Sequence, residues 1–175
     1  MLRVPAMYYL VIRQFVNTLK NLDAILGKAE AYAKERNFDV NNLVGMRLAP
    51  DMLPFAAQIR ICCDGAKASA SSLSGKEAPK HEDNEKTFEE LRARIGKCLA
   101  FVESVKEGDF ANTKPDAVIP LPGASGKRLR ANDYLYNRQI PNFFFHVSMA
   151  YAILRHAGVP IGKADYLGNL PFVES

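Results

Sequence analysis

Apolar positions recur at helical spacing in four separate stretches of this chain, and the last of the four is apolar around nearly its whole circumference. Val11, Phe15, Leu22, Ile25, Ala29 and Tyr32 draw one stripe, which predicts a first helix from about Met7 to about Arg36. Phe55, Ile59, Cys62, Ala66 and Leu73 draw the second, from about Met52 to Leu73, and Ser74-Gly75 ends it. Arg47-Leu48-Ala49-Pro50-Asp51 reads as its entry, with Asp51 positioned to accept from the free amides of the first turn. Small residues crowd this helix (Ala56, Ala57, Gly65, Ala66, Ala68, Ser69, Ala70), so a partner helix can come close. Phe88, Leu91, Ile95, Cys98, Val102 and Val105 alternate steps of three and four, the seam of a helix packed at a shallow angle. Thr87 with Glu90 fits a capping box before it, and Asp83 or Asn84 offers a cap one turn earlier.

The fourth stripe starts near Asn132, a good cap. Pro141 cannot donate to the carbonyl of Asn137, which predicts a kink or a restart there. From Asn142 to Gly158 the chain is apolar on every side and must be covered by the other helices. Arg155-His156, Gly158 and Pro160 are C-terminal signals. Between Asp109 and Arg130 the helical period disappears. Two short apolar runs flank a Pro/Gly-rich turn around Leu121-Pro122-Gly123, either a small hairpin over one end of the bundle or a long loop that could act as a lid. Proline on both sides of Leu121 confines any strand there to an edge. The tail from Pro160 to Ser175 has no period and is expected to pack back through Tyr166, Leu167, Leu170 and Phe172. Four long helices joined by one long irregular connection predict an all-α four-helix bundle, a single domain over residues 1–175.

Composition changes this picture little. A chain of 175 residues with 48% apolar content can build a real core. The net charge of +4 is mild, and the lysines and arginines are scattered except at Lys127-Arg128-Leu129-Arg130, which argues against nucleic-acid binding. Three cysteines, two of them neighbours at Cys62 and Cys63, make neither a CxxC motif nor a spaced disulfide framework. That pattern suits a reducing compartment. The stretch Met1–Leu10 lacks the order of a signal peptide, and Phe143–Leu154 is too short for a membrane span and carries His146 and Ser148. The expectation is a cytoplasmic protein with no membrane partner.

Three segments carry a resemblance: Arg47-Leu48-Ala49-Pro50-Asp51-Met52; Pro141-Asn142-Phe143-Phe144-Phe145-His146; and Ala152 to Pro160 followed by Gly162-Lys163-Ala164-Asp165-Tyr166-Leu167-Gly168. Together they closely resemble a bacterial branch, of unassigned function, in the DinB/YfiT-like superfamily. The resemblance covers nearly the whole chain and implies an up-down-down-up bundle, often a homodimer. Better-studied members bind a divalent metal through three histidines and include thiol transferases and hydrolases. In them the fourth helix carries His-x-x-x-His and the second helix gives the third ligand. Laid onto Leu154-Arg155-His156-Ala157-Gly158-Val159, that pattern puts the second histidine at His146 and the first at Asn142. The second helix has no histidine at all. Its polar candidates are Gln58 and, less well placed, Arg60 and Asp64.

The residues themselves allow a few chemistries. Asn142 and His146 are four apart and share one helix face. His156 lies about 15 Å of helical rise from His146, too far to share a metal held by bonds of about 2 Å. His81 falls in a charged loop and reads as solvated. Gln58 and Cys62, also four apart, border the apolar face of the second helix. If that face meets Asn142 and His146, then Cys62 and His146 are the strong ligands for zinc or nickel, since Asn and Gln bind these metals weakly. Cys62 activated by His146 would be a nucleophile. The plainer account makes Cys62, Cys63 and Cys98 small core residues, and His146 a buried neutral histidine bonded to Gln58 or Asn142. Phe143-Phe144-Phe145 face three directions and suit core and dimer packing rather than a ligand cage.

The reading that follows is a small-molecule-binding or pseudoenzyme member whose pocket is lined by Gln58, Cys62, Asn142 and His146. It would have no confident cofactor, and a metal only through His146. The alternative is a divalent-metal-dependent or thiol-handling transferase or hydrolase with substituted ligands around His146, with His146 and Cys62 as its catalytic candidates.

Overall fold

The computed structural model describes residues 4–121 and 126–173. Local signals place most helix ends. The helix α1 covers Val4–Glu35, and α2 covers Phe55–Ser74. For α3, Phe88–Ser104, the capping box forms: Thr87 Oγ1 accepts from the Glu90 amide at 3.2 Å, and the Glu90 carboxylate accepts from the amides of Thr87 and Lys86 at 2.9 and 2.7 Å. Asp83 and Asn84 do not cap it. Two short strands follow, β1 (Val118–Pro120) and β2 (Arg128–Arg130), paired antiparallel with Ile119 opposite Leu129. The hairpin is therefore present, although its turn, with the lid reading placed on Pro122-Gly123, lies outside the described residues. The chain ends in α4 (Ile140–His156) and the one-turn helix α5 (Lys163–Leu167).

Two expected caps are not caps. Leu53 precedes a proline, which pushes its backbone away from the helical region, so α2 cannot begin before Pro54. Asp51 stays exposed in the preceding turn, where the Met52 amide donates to the Ala49 carbonyl at 3.0 Å. Asn132 is already helical, and its side-chain oxygen accepts from the Tyr8 hydroxyl at 2.7 Å. From there Asp133–Gln139 runs as a π-helical segment in which the Ile140 amide reaches the Leu135 carbonyl. The break that Pro141 predicts is this wider turn, placed just before a residue with no amide to give.

Cross-helix pairs define the topology. Phe55 stacks on Phe88 at 5.7 Å, near the starts of α2 and α3, while Lys76, just beyond α2, reaches the Ser104 carbonyl at the end of α3 at 3.1 Å. Hence α2 and α3 run parallel. Lys20 pairs with Glu103 at 2.6 Å and Asp23 with Arg92 at 2.9 Å, so α1 opposes α3. Gln58 meets His146 at 2.7 Å and Ser72 lies 3.5 Å from the Tyr134 hydroxyl, so α2 opposes α4. Phe15 stacks on Phe143 at 4.2 Å, and Tyr32 sits beside Gly158, so α1 and α4 run parallel. The order is up-down-down-up, with α3 and α4 each packed between α1 and α2.

The core runs the length of the bundle. On α1 its centre is Tyr8, Ile12, Phe15, Leu19, Leu22 and Leu26, with Val11 and Tyr32 only half-buried at its margin. All six seam positions of α3, Phe88 to Val105, are buried. Phe143 is buried, Phe144 half-buried and Phe145 exposed at 53%. The tail differs from expectation. Of the four residues expected to pack back, only Tyr166 does so, bonding Ser148 at 3.1 Å beside the buried Ile161, while Leu167, Leu170 and Phe172 stay exposed. Gly168 (φ 67°) turns the chain against Asn21, whose side chain leaves no room for a Cβ, and Asn169, Leu170 and Pro171 then lie over α1 beside Gln14, Asn17 and Thr18 without being buried by it. Among the described residues no helix is long and apolar enough to cross a membrane.

Candidate functional site

The small residues of α2 let α4 approach closely, and the polar side chains trapped between the two helices form the candidate site. A Cβ built on Gly65 would sit 3.8 Å from both Asn142 Nδ2 and Gln139 Oε1. One turn and more away along this antiparallel pair, His146 meets Gln58. Residues 139, 142 and 146 are spaced three and four apart, so they line one face of α4.

Gln58 and His146 are 1% and 8% exposed. Gln58 Nε2 donates to the Leu53 carbonyl at 3.0 Å, which leaves its Oε1 as an acceptor facing His146 Nδ1 at 2.7 Å. The anchored amide therefore fixes the tautomer: Nδ1 carries the hydrogen and Nε2 keeps the lone pair. Among the described residues Nε2 makes no hydrogen bond, and it is not one of the fully buried atoms left without a partner, so it keeps some access to solvent. Burial pushes the imidazole below its ordinary range, so it is neutral near pH 7.

The unfolded chain takes up a proton on this histidine near pH ~6.5, and the folded chain does not. Stability is therefore full above that value and falls as the pH drops toward the lowered folded value. His146→Gln, which keeps an amide partner for Gln58 but does not titrate, should lose less stability than the parent between about pH 7 and 5, read as urea midpoints. Equal losses would assign the titration to His81 instead.

The other predicted residues separate. Asn142 is half-buried on the α4 face beside Gly65. Cys62 is fully buried, and its thiol donates to the Ile59 carbonyl at 3.2 Å. Cys98 donates to the Cys63 carbonyl at 3.2 Å. The Cys63 thiol is pushed up by its contact with Cys62 and by burial, and Cys98 is pushed up by Cys63 and by burial. Buried, protonated thiols of this kind are poor nucleophiles. Asp64 and Arg60 turn toward α3 rather than toward α4: Asp64 lies 2.8 Å from Arg94, and Arg60 donates to the Asp83 carbonyl at 2.7 Å. Gln58 is thus the residue of α2 that faces His146. His81 is half-buried, not solvated, because Lys67 Nζ closes on its Nδ1 at 3.3 Å. Burial, then Lys67 and Arg94, push it below its ordinary range.

Sequence reasoning missed Gln139. It is 2% exposed and donates to the Tyr134 hydroxyl at 2.5 Å. Its spacing from Asn142 and His146 was a usable signal, but Pro141 between them marked a break in the helix. Among the described residues no three His, Cys, Asp or Glu side chains converge as a metal site.

Comparisons with known proteins agree with this architecture. The family described as "Domain of unknown function (DUF1993)" matches residues 7–167. A crystal structure described as a DinB family member from Shewanella denitrificans is 42% identical, with a TM-score of 0.90, over 97% of this chain and 96% of that one. Among curated proteins, none matches.

Proposed function

This chain belongs to the DUF1993 family and has the DinB-like bundle fold, and from that premise we propose that it is a small-molecule-binding member that does not work as a three-ligand metalloenzyme. The observation that carries this reading is the 2.7 Å bond between His146 Nδ1 and Gln58 Oε1. It ties up the amide oxygen that the second helix would offer to a metal. The fourth-helix partner of His146 is Asn142, a weak ligand for zinc or nickel. One imidazole nitrogen is then the strong donor left, and tight zinc sites use three or four. The donor set does not fit a resident transition metal. It fits a neutral ligand with a hydrogen-bond donor for His146 Nε2 and an acceptor for the amide of Asn142.

The alternative, a metal-dependent or thiol-handling enzyme with substituted ligands, draws no support from Cys62, whose thiol is buried against its own helix. Elemental analysis of purified protein soaked in zinc or nickel tests the proposal. No stoichiometric metal is expected, and His146→Ala and His146→Gln should match the parent. One metal per chain in the parent, lost in both variants while they remain helical, would establish the enzyme reading.

A further inference from the structure

Because α2 and α3 run parallel, the chain that joins them must travel back along the bundle before α3 can begin. Residues 76–87 do this without helix or strand and without burying an apolar side chain, since Ala78 and Pro79 are the largest apolar groups they carry. What fastens them is polar. At the start, the Lys76 carbonyl accepts from Ser71 Oγ at 2.7 Å. Near the end, Arg94 of α3 pairs with Asp83 at 2.9 Å and Glu85 at 2.8 Å, and Arg60 of α2 donates to the Asp83 carbonyl at 2.7 Å. Between these two points, over residues 77–82, one polar contact to the helices is present among the described residues: Lys67 Nζ of α2 lies 3.3 Å from His81 Nδ1. Pro79, Lys80, His81 and Glu82 also wall a cavity of about 860 Å³, whose other wall is α3 at Ala93, Lys97 and Phe101. The middle of the segment thus spans a cavity and hangs on one contact.

That contact exists for one protonation state. An ammonium only donates, so Nδ1 must accept and the imidazole must be neutral, with its hydrogen on Nε2. An imidazolium donates from both nitrogens, and the same contact would then set two cations 3.3 Å apart. The charged groups facing His81 are Lys67 and Asp64 of α2, Arg94 of α3 and Glu85 of the segment itself. Neither acid is free to hold an imidazolium. Asp64 lies 2.8 Å from Arg94 and 3.2 Å from Lys67, and Glu85 is bonded to Arg94. The arginine fastenings stay charged at every working pH, whereas histidine changes charge between about pH 5 and 8.

We infer that residues 76–87 form a strap whose middle lifts from the bundle in mild acid, with the contact between His81 and Lys67 as its latch, and that lifting it opens the cavity beneath. The lifted strap takes up a proton on His81 near pH ~6.5. The closed strap resists it, because burial first, then Lys67 and Arg94, push the imidazole below its ordinary range. Closure is therefore full above about pH 6.5 and weakens as the pH falls toward the lowered value, by at most about tenfold per pH unit for one proton. A segment with no buried apolar anchor opens without the helices unfolding.

Limited digestion with a glutamate-specific protease tests this, because Glu77, Glu82 and Glu85 lie in the strap and mass spectrometry identifies the bond cut first. His81→Asn keeps an acceptor near the position of Nδ1 and does not titrate. Dividing the cleavage rate of the parent by that of this variant cancels the pH dependence of the protease, and that of His146, which both chains retain. The ratio should be near one at pH 7.5 and rise about threefold or more by pH 5.5, with the first cut after Glu77, Glu82 or Glu85. A ratio that stays near one at pH 5.5 would overturn the proposal. First cuts within the helices would overturn it too, since the bundle would then open as a whole.

Discussion

Replacing Arg94 by Met is expected to destabilise the fold by about 3–5 kcal/mol, a fall in the urea midpoint large enough to threaten folding at 37 °C. The size follows from what is left behind rather than from what is removed. Arg94 faces Asp64, Asp83 and Glu85, whose side chains are 41%, 63% and 11% exposed. Asp64 and Asp83 can be rehydrated where they stand and contribute little. Glu85 cannot, so its carboxylate would stay in the interior with Arg60 at 3.9 Å as its nearest cation. Burial opposes the charge on Arg94, but the bond to Glu85 and the charges of Asp64, Glu85 and Asp83 outweigh it and hold the guanidinium well above its ordinary range. A control separates this from lost packing. In Arg94→Met/Glu85→Gln the stranded charge is gone, and most of the loss should be recovered. If the double variant is as unstable as the single one, the aliphatic stem of Arg94, not its charge, holds α3 in place.

Phe15→Ala should cost a comparable amount, about 3–5 kcal/mol, through a different mechanism. Phe15 is fully buried, stacks on Phe143 with ring centroids 4.2 Å apart, and meets the edge of Phe144 at 6.1 Å. Its removal opens a cavity at the α1–α4 contact and loses the ring pairs as well. Phe145→Ala provides the contrast: that ring is 53% exposed, and its loss should cost within about 0.5 kcal/mol. Thermal or urea unfolding of the two variants reads both values. Similar losses for Phe15 and Phe145 would mean that the face carrying Phe145 is covered by something in solution.

Much of the fold is legible before any coordinates. The alternating spacing of Phe88 to Val105, the Thr87–Glu90 capping box, and the terminal signals Gly75 and Gly158 are local, and local geometry obeys them. The errors are also local in kind. Asp51 and Asn132 have the right chemistry for capping, yet Pro54 delays one helix and Tyr8, more than a hundred residues away, claims the other side chain. The tail is misread because hydrophobicity alone assigns Leu170 and Phe172 to the interior, whereas the bundle is already closed by its four helices and the tail lies on its surface.

The candidate site divides the same way. That Asn142 and His146 share one face of the fourth helix follows from their spacing of four, and the resemblance is what sets them against a His-x-x-x-His pattern. Which residue of α2 faces His146 does not, because Gln58 and Asp64 sit on neighbouring faces of the same helix, and spacing gives no absolute rotation. Packing decides it: the close approach of α4 at Gly65 turns Gln58 to His146, and α3, running parallel to α2, brings Arg94 to Asp64. The tautomer of His146 and the burial of Arg94 among three carboxylates likewise arise from residues far apart in the chain. Helical periodicity is carried by a few adjacent turns, so amino-acid order alone determines the four helices and their apolar faces. Pairings between helices depend on a balance of contacts summed over the whole core, and only the assembled bundle settles them.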